Sequence, residues 1–385
     1  MAEILLSDSA KTKLKKINIS SSSTPKLSGV INTADFNNII EVKLTSLGIT
    51  EFKGNNNLEV LELDDNELLT FPVLSGLTNL VDLKISNENR LTSLPTLSTL
   101  DKLKELKLTN CDNLTSTLPD FKFFPFLTFA DFRNSGNDGK FIGDIPALSS
   151  NSALQQFYVN GNNQLSGFIP SLDFNSDLHN FNISRVGLSG SVHDFKNTPD
   201  LQTYHVFQNS LTGSLPELSA APNLITADFN ENFLTGSIPF LNNLTKIKTL
   251  NINNNALSGR IPEITNLVSL EAFRIQNNKR LGRTGIIGDI PDLSGSTNLK
   301  TFDAASNQLT GWAGTVWPSS RENQNIQIQN NNLTTAALNT LLSALCATGA
   351  VNGTIQMGGS NDSPTGGSSN PQRLILVDRG WTVGV

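Results

Sequence analysis

The sequence predicts a mainly β solenoid: a right-handed superhelix with a parallel sheet on its concave side, an extended or 3-10 convex side, and a small α/β module at the C-terminal end. Two observations predict it. The pattern LxxLxLxxNxL recurs in about thirteen units, starting at Ile39, Leu58, Leu80, Leu103, Leu127, Leu154, Leu178, Leu201, Leu224, Ile247, Leu270, Leu299 and Asn323, at spacings of 19–29 residues. The hexapeptide LTGSIP at residues 234–239 has near-copies ending at Pro146, Pro170, Pro216, Pro262 and Pro291. One such unit cannot bury its apolar side alone, so stacked units must share a continuous core.

Each part of the repeat has a physical role. In the unit that starts at Leu224, the period of two in a strand turns Ala227 and Phe229 inward and Asp228 and Asn230 outward. The same alternation buries Leu61, Leu63, Leu106, Leu108, Leu250 and Ile252. Asn232 stands where a buried amide can bond the backbone of the turn. Asn66, Asn162, Asn209, Asn255, Asn278, Asn307 and Asn331 take the same position, and Cys111 replaces the amide in its unit. Gly236 gives the corner its freedom, and Pro239 fixes an extended segment. Leu234, Ile238 and Leu241 supply the far side of the core. The stretch between strands is too short and too rich in Pro and Gly for a full helix, which leaves extended or 3-10 backbone.

The repeats divide the chain into an N-terminal arm and cap at 1–38, the solenoid at 39–333 and a C-terminal capping module at 334–385. The serine run at 20–23 followed by Thr24 and Pro25 reads as a flexible joint, so residues 1–25 are either an attachment arm or a frayed terminus. After Leu333 the pattern changes. Leu338, Leu341, Leu342 and Leu345 have helical spacing, with Thr334 or Thr335 as N-cap and Gly349 as the stop. A strand in VNGTIQM, a flexible Gly/Ser loop, a short helix or strand in RLILVDRG and a final strand in WTVGV follow. Trp312 and Trp317 occupy the LTGxIP position of their unit and are expected to pack the last turn against the cap.

Composition narrows the function. The 385 residues carry a net charge of -6, with 37% hydrophobic and 16% charged residues. A phosphate-binding surface needs an excess of Lys and Arg, so nucleic acid is not an expected partner. No window approaches a membrane span, so no membrane insertion is expected. The N-terminus lacks the unbroken apolar stretch of a secretory signal. Two distant cysteines, Cys111 and Cys346, are too few for a disulfide scaffold, and both are expected to be reduced and buried.

Chemistry is sparse. His179, His193 and His205 are the only histidines; His179 and His205 fall at different offsets in their units and lack a third ligand, so no metal is expected. No nucleophile, phosphate-loop or zinc motif occurs, which points away from an enzyme, and no cofactor is implied. The concave face does offer a wide polar platform. Its middle gathers Phe129, Arg133, Tyr158, Asn160, Asn182, Arg185, His205, Phe207, Asp228 and Asn230, the candidate ligand-binding residues. Exposed aromatics among amides and Arg suit sugar rings or a protein anchor. The C-terminal third of the face is nearly all amide and hydroxyl, either a polysaccharide track or a solubilising surface.

The letters LxxLxLxxNxLTGxIP resemble the plant-type class of leucine-rich repeats found in receptor and inhibitor ectodomains. The resemblance spans residues 39–333 and implies the fold. The chain departs from those proteins: paired-cysteine caps are lacking and the usual period is 23, so hormone or peptide perception is not carried over. The stretch LTTAALNTLLSAL, NGTIQMGGSNDSPT and RGWTVGV resembles a closing module of tailed-bacteriophage virion proteins. That resemblance implies a virion component assembled in the host cytoplasm. It would be a tail fibre or surface adhesin that recognises a host-surface glycan or protein and docks to other virion proteins through one terminus. A trimeric or other homo-oligomeric state accompanies such appendages. A capsid or tail decoration protein and a bacterial cell-surface adhesin are the alternatives.

Overall fold

Alternating apolar and polar residues build a run of short strands whose core sides coincide. In the computed structural model, which describes residues 13–20, 28–34, 36, 38–279, 282, 284–318 and 322–384, the chain is a parallel β-solenoid of about 13 turns with few helices. It comprises two units, Met1–Ser189 and Gly190–Val385.

In the first unit, the strands Lys16–Ser20, Glu41–Thr45, Val60–Asp64, Asp82–Ser86 and Glu105–Thr109 pair in parallel without a slip. Shorter strands follow at Phe129–Asp131, Gln156–Tyr158 and Asn180–Asn182. The register sets Leu61 beside Leu83 and Leu83 beside Leu106, so apolar side chains form columns that exclude water. Far from the main sheet, backbone is extended in short pairs such as Phe141–Asp144 with Leu165–Ser166, or 3-10 at Phe121–Phe123.

Within residues 1–25, expected to form an arm or a frayed end, Lys16–Ser20 is instead a strand. Ile17 and Ile19 align with Val42 and Leu44, and this matched alternation adds a strand to the sheet. Except for Ser20, the expected joint at 20–23 lies outside the described residues. So do residues 1–12, on which the signal-sequence reading rests.

In the second unit, Thr203–His205, Thr226–Asp228, Thr249–Asn251, Ala272–Arg274, Thr301–Asp303 and Asn325–Gln327 pair in the same way. Thr354–Gln356 and Thr382–Gly384 continue this parallel sheet. The expected helix forms at Thr335–Ala347, with the Thr334 hydroxyl accepting from the Ala337 amide and four leucines buried. A second helix spans Pro371–Asp378, capped by Asn370. Trp317 is buried, edge-on to Phe302 and 6.3 Å from Trp312.

Two expectations need correction here. The Gly/Ser loop was expected to be flexible, but side-chain amides pin it. Asn361 donates to the Ile328 and Met357 carbonyls at 2.8 Å and accepts from the Leu333 amide at 3.0 Å. Asn339 bonds Thr365 at 2.7 Å. Of the two free thiols, Cys111 is buried but Cys346 is only half-buried. Cys346 sits in the last helical turn, where the following helix covers it partly and its Sγ donates to the Gln372 carbonyl at 3.1 Å. Burial pushes the Cys111 thiol up to about 12.

Successive rungs are tied by an amide ladder. Asn232 donates to the Val206 and Phe229 carbonyls and accepts from the Leu211 amide; Asn255 repeats this with Phe229, Ile252 and Leu234. Asn278, Asn307 and Asn331 continue the series. Buried backbone groups must be paired, and one side chain here pairs those of two turns. The residue before most ladder positions is left-handed: Asp65, Asn110, Gln208, Glu231, Asn254 and Asn277 have φ of 52–57°. This turn reverses the backbone so that the following amide points inward.

One rung differs. Glu88 takes the ladder position and is fully buried, accepting from the Asn66 amide at 2.9 Å, the Asn66 side chain at 3.0 Å and the Leu68 amide at 3.2 Å. Burial pushes its carboxyl above the usual range, against those donors. A folded pKa raised above the unfolded value gives stability that is full below the unfolded pKa and is lost as pH rises through the folded one. Acidification toward the ordinary carboxylate range is therefore expected to strengthen this site. Glu88→Gln should flatten the dependence of the urea midpoint on that acidification. Equal slopes in both proteins would refute the assignment.

Candidate ligand-binding face

Odd positions of the main-sheet strands point away from the core, most of them reaching solvent, and their chemistry changes along the chain. In the early strands of the first unit the face is a set of ion pairs: Lys16 with Glu41, Lys43 with Glu41 and Glu62, and Lys84 with Glu105 at 2.8 Å. Exposed pairs of this kind contribute little to stability and leave the surface locally neutral.

The pattern ends at Asp131. Its side chain is 0% exposed, and Arg133 closes over it with Nε at 3.0 Å from both oxygens and Nη2 at 2.7 Å from one. Two residues apart on an extended segment, the two share a face. The Arg133 guanidinium also lies 4.8 Å from the centre of the Tyr158 ring, and Phe129 packs tilted against that ring at 6.1 Å. Tyr158 donates to Gln156 Oε1 at 3.0 Å, and burial raises its hydroxyl pKa while Arg133 opposes the shift. Phe129, Arg133 and Tyr158 thus form one pre-set cluster, held before any ligand arrives.

The other candidates in this unit fall around it. Asn160 and Asn182 are half-buried on the same columns; Asn182 Oδ1 accepts from the Ser184 amide at 3.1 Å, and Asn160 Oδ1 is buried without a hydrogen bond. Arg185 is not on a strand. It is the left-handed residue of its turn, with φ 57°, and its Nη1 donates to Asn137 Oδ1 at 3.1 Å.

In the second unit, His205 and Phe207 lie 6.4 Å apart, and His205 Nε2 is 3.1 Å from the Thr226 hydroxyl. Burial lowers the His205 pKa, with Asp228 opposing, so the ring favours its neutral form. Asp228 accepts from the Asn230 amide and from Asn251, which in turn accepts from Arg274 at 3.0 Å. This chain of side-chain bonds crosses three strands and fixes the polar groups in place.

Two residues that the repeat places on this outward face were not among the candidates. Asp131 was missed because only its depth distinguishes it from other outward acids, although Asp-x-Arg at the end of a strand is a usable signal. Lys107 was missed because an isolated lysine resembles its paired neighbours in sequence. Among the described residues there is no group of three or more His, Cys, Asp or Glu side chains able to hold a metal ion, and no helix long and apolar enough to cross a membrane.

Solved structures with this architecture are leucine-rich-repeat proteins. A TDR receptor superposes with a TM-score of 0.70 at 23% identity, over 90% of this chain and 64% of that one. The leucine-rich-repeat ectodomain of the Arabidopsis receptor kinase HAESA, solved with an IDA peptide hormone, gives 0.62 at 22%, over 92% and 65%. A leucine-rich-repeat protein of Leptospira interrogans gives 0.61 at 17%, over 97% and 90%. The chain spans under two thirds of the length of the two receptor chains. These likenesses concern the fold. No family model matches the chain, and no curated protein matches it.

Proposed function

We propose that this leucine-rich-repeat solenoid is a non-enzymatic binding protein whose solvent-facing sheet recognises a ligand on a host-cell surface, and that it serves as a phage tail fibre or adhesin. The observation that carries the reading is the Phe129–Arg133–Tyr158 cluster. Its aromatic surface sits on strands and is braced by a buried carboxylate, so it loses little freedom on binding. A purely polar face would gain little, since its groups already bond water well. The resemblance of the C-terminal segment to virion closing modules supports a place on a particle, with a terminus as attachment point. The HAESA ectodomain with its peptide hormone is a precedent for ligand binding on this fold.

Attachment of the purified protein to candidate host cells, and to their extracted polysaccharides, tests the reading. Tyr158→Ala and Phe207→Ala should each keep the circular dichroism spectrum, because both side chains are only half-buried on the solvent side. Combined, they should abolish attachment. A folded double variant that attaches normally would remove this face from consideration.

A further inference from the structure

The early face of the first unit leaves one cation unmatched. Lys84 is paired with Glu105, Lys43 with Glu41 and Glu62, and Arg133 with Asp131. Lys107 stands between two of these pairs, in register with Lys84 on one side and Asp131 on the other. It is half-buried, and among the described residues its ammonium has no ion pair or hydrogen bond. Neither neighbouring acid pairs with it: both Asp131 oxygens accept from Arg133, and Glu105 pairs with Lys84 through Oε2. Asp82 lies one strand further back, beside Glu105, and makes no ion pair with it.

The geometry points to a carboxylated polysaccharide as the ligand of this face, with Lys107 receiving a carboxylate while Tyr158 and Arg133 flank the adjoining sugar ring. The inference rests on the proposal that the face binds at all. Charge complementarity selects the occupant. Strands in this sheet are about 4.8 Å apart, so Lys107 and Tyr158, two steps from each other, are separated by about 10 Å, within reach of neighbouring sugars. Beyond Tyr158 lie amides with unused capacity: the side-chain nitrogens of Asn180 and Asn182 donate no hydrogen bond among the described residues. Side-chain amides suit hydroxyl-rich ligands. A peptide main chain is less well served, because the sheet's own backbone groups are consumed in its ladders.

Calorimetry with the full chain and a galacturonate oligomer decides the matter, run beside the same oligomer after its carboxyls are reduced to alcohols. The galacturonate is expected to bind about tenfold or more tightly than the reduced form, in line with a charge-assisted hydrogen bond, and to weaken with added salt. Lys107→Met should remove that advantage and leave the affinity for the reduced oligomer unchanged, whereas Lys107→Arg should restore it. Equal affinities for the two oligomers, or a folded Lys107→Met protein that still prefers galacturonate, would overturn the inference. So would a polyglutamate peptide that binds as tightly with the same dependence on Lys107. If galacturonate fails while cell attachment still depends on Tyr158, the choice of ligand is wrong and the binding face stands. If attachment ignores Tyr158, the face itself is wrong.

Discussion

Asn255→Ala is expected to destabilise the protein by about 3–5 kcal/mol, a large effect for the loss of one small polar side chain. The residue is fully buried. Its oxygen serves the Leu234 amide at 3.0 Å, and its nitrogen serves the carbonyls of Phe229 at 3.0 Å, Asn253 at 3.1 Å and Ile252 at 3.3 Å. Alanine leaves groups of two adjacent turns unpaired where water does not reach, and each orphan costs about 1–3 kcal/mol. Asn243→Ala, at an exposed position, is the control and should change little. Urea unfolding of both variants measures the contrast. Similar small losses would mean that the ladder is bystander chemistry.

Leu250→Ala is expected to cost about 2–5 kcal/mol, toward the upper end. Leu250 is 0% exposed and lies in register between Ala227 and Phe273. Ala227 is already small, so truncation opens a void beside an existing narrow place. The paired strands cannot close over it without breaking their hydrogen bonds. A midpoint shift worth less than about 1 kcal/mol would show that the core repacks freely.

Much of this fold could be read in advance because each repeat says the same thing. A leucine at Leu250 or Leu106 is recognisable by its place in a period, and thirteen agreeing copies suppress local noise. The cap helix was legible for a different reason: Thr334, four spaced leucines and Gly349 act within one segment. Features that depend on a single rung were not legible. Lys16–Ser20 joins the sheet with only two isoleucines as its signature. Glu88 breaks the amide rule while occupying the amide's seat. Cys346 is set by how far one helix overlaps another, which spacing does not encode. At the candidate site, the residue types on the outward columns were readable, but their pairing was not. Arg185 was assigned to the face from its proximity to a strand, and a left-handed turn carries it off that strand. The lock between Asp131 and Arg133 required depth to see.

The regular register has an evolutionary consequence. Thr226 sits beside Thr249, and the bonds that join this pair of rungs span a nearly constant interval: Lys246 to Asn223 and Asn251 to Asp228 both reach back 23 residues. Excising or duplicating one whole 23-residue unit there would bring equivalent residues back into contact, with the same amides meeting the same carbonyls. Length can therefore change by recombination between look-alike stretches of the gene, one turn at a time, without any new packing problem having to be solved. A binding surface built this way can be widened or narrowed in discrete steps, while point changes on the outward columns retune what it touches.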